Sequence, residues 1–493
     1  MTPKNILILS LLTVSQYIFS QTVYQIKDYG AVGDGITLCT SAINSAIADC
    51  STNGGGRVVI PAGVFKSGTI LMKNNVELHL EMGSTLLGSG NNSDYPQQPQ
   101  PEYRTHLDSE GWYALIYGEG LSNIAVTGLG TIDGNGALHT GIQPRGILFI
   151  SCQQIRIEGI KMLHSGSWMQ HYLNCEDVLV DRIEVYNHAN INNGAMAIDG
   201  CRRCTLSNAI SDSDDDGITL KSSGAAASED ITIINCVVSS RCNAIKMGDA
   251  STGGFRNISI GNCVIKHTRD PRTSSFLGAH IPINGISGIS LQMVDGGIME
   301  GIAISNITME DVECPLFIWL GNRARKHTDN APEPPVGKIR NITISNIVAY
   351  NTGNVGSSIS GLPGHDVENV TIDNVQYFNR GGITGGQYVT THQAVSENEN
   401  GYPEANWAGN LPAYVFFIRH VKNLSINNLM FGSKENDPRI PVIAVDVEKF
   451  TIGKSTFSGN TPHAHFVLLK DVTDFDIEKP LGWGGSQVVN NEQ

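Results

Sequence analysis

Basic clusters are missing from this chain of 493 residues. Lys and Arg number 33 against 47 Asp and Glu, the formal net charge is −14, and no run of Lys or Arg occurs. That balance excludes an electrostatic fit to nucleic acid or to an anionic membrane surface. It leaves room for a local cationic cleft on an acidic body. Charged residues of both signs are scarce at 16%, whereas Gly is frequent at 54 and Asn is visibly common. Many short strands joined by turns suit that composition; long helical bundles do not. No Cys/His spacing of the zinc type stands out. The Leu-rich consensus of horseshoe repeats is absent as well. Beyond the first 20 residues, no apolar run is long enough to span a bilayer.

The first residues, "MTPKNILILSLLTVSQYIFSQTVYQ", place Lys4 before an apolar stretch from Ile6 to Val14, with the small Ser20 ahead of Gln21. This reads as a secretory signal peptide cleaved after Ser20, and so as an exported protein, periplasmic or secreted. Ten cysteines in such a protein invite disulfides. Yet Cys152, Cys175 and Cys201 each open the same phrase ("CQQIRI", "CEDVLV", "CRRCTL"), and Cys236 and Cys263 share "NCVV" and "NCVI". Recurrence at a fixed place points to stacked, buried small residues. Cys39 with Cys50 and Cys201 with Cys204 are the pairs left as candidates for bonding.

A phrase of Asn or Asp, then Ile or Val, then alternation returns throughout: "SNIAV" at Asn123, "EDVLV" at Asp177, "EDITI" at Asp230, "RNISI" at Asn257, "EGIAI" at Gly301, "RNITI" at Asn341, "ENVTI" at Asn369, "KNLSI" at Asn423. Its first apolar residue falls at Val178, Cys204, Ile231 and Ile258, in steps of 26, 27 and 27. Later steps are longer and predict inserted loops. A period in the twenties with short β-branched strands is a solenoid signature. One turn cannot bury its own apolar side, so neighbouring turns must stack. The expected fold is an all-β, right-handed parallel β-helix in a single unit from residue 21 to 493. A short helix, "TSAINSAIADC", capped by Thr40 or Ser41 and facing inward with Ile43, Ala46 and Ile47, closes its start. The polar stretch near 385–410 reads as a long loop before late coils resume.

"DSDDDGITLKSSG" (Asp212 to Gly224) sets three carboxylates in a row. Read by itself it is a solvated turn, a calcium loop or a pair of catalytic acids. The later bidentate Glu of an EF-hand loop is missing.

"IKDYGAVGDGITLCTSAINSAIADC", "GGGRVVIPAGVFKSGTILMKNNVELHLEMGSTLLGS", "GLGTIDGNG" and "SGSWMQHYLNCEDV" together resemble the pectin-cleaving glycosidases of the polygalacturonase type, glycoside hydrolase family 28, over about residues 24 to 380. The resemblance implies a right-handed parallel β-helix with a long cleft. It also implies inverting, metal-free hydrolysis of α-linked uronic acids or related sugars. That family reads N-T-D, D-D, G-H-G and R-I-K along successive coils. Here "NNGAMAIDGC" puts Gly194 where an Asp is expected, Asn243 replaces the His, and Ser290 and Gln292 replace Arg and Lys. Asp215 and Asp216 keep the D-D pair. By resemblance Asp215 is the acid, and Asp216 is the base that shares its water with the carboxylate lost at Gly194.

Superposing "DDGITLKSS" on "CNAIKMGDA" sets Ile218 on Ile245, a step of 27 that matches the repeat. Gly194, Asp216 and Asn243 then share one column; Ala197, Thr219, Lys246 and Ser290 a second; Asp199, Lys221 and Gln292 a third. Alternation places Asp199, Thr219, Lys221 and Lys246 outward, near the carboxylates. Asp199 and Lys221 read either as substrate contacts or as a stacked ion pair. Inverting hydrolysis needs an acid and a water-activating carboxylate about 6.5–9.5 Å apart, and repulsion from Asp216 would keep Asp215 protonated. In "LFIWLGNRARKH", Arg323 and Arg325 suit carboxylate or sulfate recognition. Trp168 and His171 are candidates to line the cleft.

Loss of the R-I-K pair shifts the expected substrate from plain homogalacturonan toward branched pectin, rhamnogalacturonan or another acidic polysaccharide. Two other functions stay open on this sequence. One is a polysaccharide lyase using Lys246 or Lys221 as base; the other is a non-catalytic glycan-binding relative.

Overall fold

A computed structural model describes residues 22–99, 112–270, 285–459 and 463–490. The stretch read as a signal peptide lies outside the described residues. What is described is one long array of parallel strands wound as a right-handed β-helix. In the early coils each turn has three short strands. Arg145–Ile150, Gln153–Glu158 and Lys161–Leu163 form one coil. Gln170–Leu173, Glu176–Asp181 and Glu184–Asn187 form the next. Equivalent strands pair in parallel from coil to coil, giving a first, second and third sheet.

The register reproduces the repeat residue for residue. Val178 pairs with Cys204, Cys204 with Ile231, and Ile231 with Ile258. Across the longer steps, Ile258 pairs with Ile302, Ile302 with Ile342, Ile342 with Val370 and Val370 with Leu424. Each of these side chains is at most 2% exposed, and burying such a side chain stabilises by about 1.5–3 kcal/mol. The core is therefore a stack of aliphatic rungs.

The Asn or Asp of the repeated phrase has a backbone reason. Asn123, Asp177, Asp230, Asn257, Asn341, Asn369 and Asn423 all lie at φ between 52° and 60°, and Gly301 takes the same corner at 70°. Left-handed backbone costs most residues roughly 1–2 kcal/mol, but Asn, Asp and Gly adopt it readily. A second left-handed corner follows at Asn208, Asn235, Asn262, Asn306, Asn346 and Asn374. There the side-chain amides stack: Asn306 donates to Asn262 at 3.0 Å, Asn346 to Asn306 at 3.0 Å, and Asn374 to Asn346 at 2.7 Å.

The helix forms over Thr40–Thr52 and buries Ile43, Ala46, Ile47 and Cys50. Its cap differs from expectation. Cys39 holds the N-cap position and no side chain caps the helix; the Thr40 hydroxyl instead accepts from the Gly68 amide at 2.7 Å. The candidate disulfides are also corrected. All ten cysteines are free and buried, as thiol rungs of the stack. Strands resume at Ala413–Ser433, Ile440–Ile452 and His465–Ile477, paired in parallel with the preceding coils.

Candidate active site

The first sheet carries the site. Ala197 pairs with Thr219, Thr219 with Lys246 and Lys246 with Ser290, the column read from the sequence. The three consecutive carboxylates then part company. Asp214 turns inward to Arg241, with Nε 3.1 Å from Oδ1. Behind the same strand, Asp212 accepts from His188 at 3.0 Å and from Thr268 at 2.6 Å. Asp215 and Asp216 face a narrow slot lined by Trp168, Gly194, Met196, Ala197, Thr219 and Lys221. The turn is held by hydroxyls, because Ser213 and Ser240 both donate to the Asp215 carbonyl, at 2.9 and 2.7 Å.

Asp216 is buried and fully engaged. Its Oδ1 accepts from the Asn243 side chain at 2.8 Å and from the Asn243 amide at 3.2 Å, and its Oδ2 pairs with Lys246 Nζ at 2.9 Å. Ser287 donates to Asn243 Oδ1 at 2.6 Å and fixes the direction of that amide. Lys246 is almost completely buried. Burial opposes its charge, but Asp216, Tyr402, Glu404 and Asp249 outweigh it and hold the ammonium well above its ordinary pKa. Asp215 is half-buried. Burial first, then the charge of Asp216, pushes its carboxyl up to about 7 against the pull of Lys246 and Lys221. The adjacent pair thus divides into a proton-bearing acid and an ion-paired carboxylate.

Two features of the geometry depart from expectation. Oxygens of Asp215 and Asp216 lie within 4.8 Å of one another, closer than the gap of about 6.5–9.5 Å across which an inverting pair flanks a water. The slot holds about 20 Å³, room for one water and not for a sugar ring. A polysaccharide would have to lie across its mouth. A far larger groove, about 1010 Å³, runs along other coils past Arg57, Glu77, Arg156 and Glu158. Its arginines pair with its own glutamates.

The remaining sequence candidates fall into three groups. Trp168 lines the slot, its indole N–H donating to Asn192 at 3.1 Å and its ring facing Lys221 Nζ at 5.0 Å. Arg323 and Arg325 do reach the site, but they are bound to Asp249 and Asp295: Arg323 Nη1 lies 2.8 Å from Asp249, and Arg325 Nη2 3.1 Å from Asp295. Asp199, Thr219 and Lys246, expected to look outward, and His171, expected to line the cleft, are all buried, as is the substrate-contact candidate Gln292. Asp199 and Lys221 share a register, yet Asp199 takes its bonds from Ser223 at 2.6 and 2.8 Å and lies 3.3 Å from His171. Burial raises its carboxyl, but His171 and Ser223 outweigh that and hold it at about 2. Lys221 leans instead toward Asp249 at 3.6 Å. Gln292 donates to Ser290 at 2.6 Å.

Sequence reading missed the roof. The loop between residues 380 and 412 folds back over the first sheet and sets Tyr402 and Glu404 above the carboxylates. The Tyr402 ring is 52% exposed, while its hydroxyl accepts from Lys246 at 3.2 Å and donates to Asp249 at 3.4 Å. Both Glu404 oxygens lie 3.4 Å from Asn243 Nδ2, and Oε1 is 3.9 Å from Lys246 Nζ. The available signal was length, because structureless loops beyond about 12–15 residues usually serve function. For a metal, Asp215, Asp216 and Cys242 converge, but the Lys246 ammonium already stands beside Asp216. Burial also keeps the Cys242 thiol well above its usual pKa.

A family model described as rhamnogalacturonase A/epimerase, pectate lyase-like, matches residues 23–265. A probable polygalacturonase of Vitis vinifera is 26% identical over 366 residues, 68% of this chain and 70% of that one. An exo-poly-alpha-D-galacturonosidase of Dickeya chrysanthemi is 43% identical over 121 residues, but these make up only 23% of this chain and 20% of that one. Among solved structures, the hyperthermoactive exopolygalacturonase of Thermotoga maritima superposes with a TM-score of 0.62 at 23% identity, covering 73% of this chain and 88% of its own.

Proposed function

Given a chain that is a divergent relative of the polygalacturonase-type glycosidases, we propose that it hydrolyses an α-linked glycosidic bond in a pectin-type or other acidic polysaccharide. The observation that carries this reading is the split between two neighbouring carboxyls. Asp215 stays protonated up to about pH 7 at the mouth of the slot, and Asp216 is tied to Lys246 and Asn243. Asp215 protonates the leaving oxygen. Asp216 takes a proton from the attacking water, which sits on the far side of Asp216 because the short Asp215–Asp216 spacing leaves no place for it between them.

Substrate lies across the mouth of the slot over the exposed Tyr402 ring, which is suited to stacking on a sugar. Lys221, only 3.6 Å from Asp249, is the nearest cation that a uronate carboxylate can share. Asp199, His171 and Gln292 act as supports behind the site, and Arg323 and Arg325 hold Asp249 and Asp295 in place. The N-terminal stretch is read as an export signal, which puts the enzyme where such polymers are met.

Product analysis on defined pectic and rhamnogalacturonan oligosaccharides tests this. The expected outcome is reducing-end release with inversion at the anomeric carbon. Activity should fall as pH rises through about 7, and Asp215→Asn should slow turnover by about 10²–10⁴. An unsaturated, ultraviolet-absorbing product would replace the reading with a lyase. Binding without turnover, unchanged by Asp215→Asn, would replace it with a lectin-like role.

A further inference from the structure

Three observations converge on one loop residue. The column of Gly194, Asp216 and Asn243 offers a single carboxylate, so a water beside Asp216 has no second oxygen ligand on the Gly194 side. Nothing in the backbone demands glycine there. Gly194 is not left-handed, and a Cβ at that position would meet the Asp216 carbonyl oxygen and Trp168 Cδ1 at 3.4 Å, an ordinary contact. On the opposite side of Asp216, Glu404 stands over the Asn243 amide. Asn243 Nδ2 lies 2.8 Å from Asp216 and 3.4 Å from both Glu404 oxygens. Lys246 Nζ likewise lies 2.9 Å from Asp216 and 3.9 Å from Glu404. Two carboxyls thus flank one pair of donors, and the side chain that closes the arrangement comes from 161 residues further along the chain.

We infer that Glu404 is a third carboxyl of the reaction centre, carried in by the 380–412 loop, and that with Asp216 it holds the attacking water on the Asn243 side of Asp216. This rests on the hydrolase reading above. In the step itself, Asp215 gives its proton to the glycosidic oxygen as the bond from that oxygen to the anomeric carbon breaks. The water oxygen forms the new bond to that carbon, and its proton passes to Asp216. Glu404 binds the same water and ends the step as it began. Burial, then the charges of Asp216 and Asp215, raise the Glu404 carboxyl to about 8 despite Lys246 and Asn243. At neutral pH it therefore sits beside the Asp216 carboxylate as a protonated donor, the sharing seen where two carboxyls crowd one site.

The loop is well enough anchored to deliver a side chain accurately. Arg419 donates to the carbonyls of Val395 and Ser396 at 2.9 and 2.7 Å, Asn322 donates to the Glu399 side chain at 3.2 Å, and Trp407 packs edge-on to Trp319 at 4.5 Å.

The test compares Glu404→Ala, Glu404→Gln and Glu404→Ala with Gly194→Asp, on whichever oligosaccharide the wild type cleaves. Glu404→Ala should lower kcat by about 100-fold or more with little change in KM. Glu404→Gln keeps a donor and should retain most of the rate. Gly194→Asp puts a carboxylate on the other side of Asp216 and should not recover the alanine variant's loss; full recovery would overturn the placement of the water beside Glu404. Above pH 8 the wild-type rate should fall with the loss of two protons, and the Glu404→Gln rate with the loss of one. An alanine variant altered only in KM or melting temperature, or identical alkaline slopes, would overturn the assignment and leave Glu404 as a loop anchor. Infrared titration supplies a readout independent of turnover: a carboxyl band with a midpoint near 8 in the wild type should vanish in Glu404→Gln. Should the wild type cleave nothing, the hydrolase reading fails alone. The band then decides whether Glu404 is the protonated partner of Asp216, and its absence overturns that as well.

Discussion

In the same coils, a few residues apart, two columns of side chains are built on opposite plans. Ile233, Ile260 and Ile304 stack as one fully buried aliphatic file, each in register with the next. Asn243, Lys246 and their neighbours Asp216, Asp249 and Glu404 form a largely buried file that follows no repeat from coil to coil and in which every charge is answered from elsewhere. The first column gains the same contact at each rung, so stability accumulates coil by coil. The second gains nothing from repetition. Its ion pairs recover a desolvation cost that the aliphatic file never incurs. Function occupies the place where the repeat is broken, and the insertions at 321–337 and 380–412 supply the counter-charges that the repeat cannot.

Breaking the charged column should have the largest effect. Lys246→Met leaves Asp216 buried without its ammonium and should cost about 3–5 kcal/mol in urea unfolding; an unchanged midpoint would mean that the cluster is not truly desolvated. In the aliphatic column, Ile260→Ala should cost about 2–5 kcal/mol through the cavity it leaves. A loss below 1 kcal/mol there would show that neighbouring coils collapse into the gap.

The aliphatic file has no pH response, whereas two carboxyls beside the charged one respond with opposite sign. Asp215 has a folded pKa above its unfolded value, so its contribution is fully present below about pH 4 and lost as pH rises through about 7. Asp199 is depressed to about 2, so its contribution is present above about pH 4 and lost as pH falls through about 2. Asp215→Asn should therefore be more stable than wild type at pH 8 and equal to it at pH 4. Equal stability at both values would show that the carboxyl is not raised.

The smallest effect belongs to the corners. Asn306→Ala leaves at φ 58° a residue that tolerates left-handed backbone less well than Asn and cuts two ladder bonds, for about 1 kcal/mol. Asn306→Gly should recover most of that, because glycine accepts the same backbone. If both variants lose equally, the amide ladder and not the backbone sets the cost.

The register of the first sheet was readable because the period of 27 set Thr219 on Lys246 and Ile218 on Ile245. Side-chain direction was less readable. Alternation alone turned Asp199 outward, whereas His171 and Ser223, from neighbouring strands and turns, enclose it. Arg323 and Arg325 were read as suited to carboxylate or sulfate recognition, but nothing local revealed that Asp249 and Asp295 had already claimed them. Glu404 carries no motif, and the loop around it reads as solvated.

By itself the sequence determined the coil: its period, its aliphatic file and its left-handed Asn corners. These depend on φ preference and on alternation within a few residues, both of which are local. Tertiary structure alone decided the electrostatics of the site: which acid keeps its proton, which is held by Lys246, and which carboxyl comes down from the distant loop. Burial and charge act through space over a few ångströms, and proximity across 161 residues of chain has no period to read.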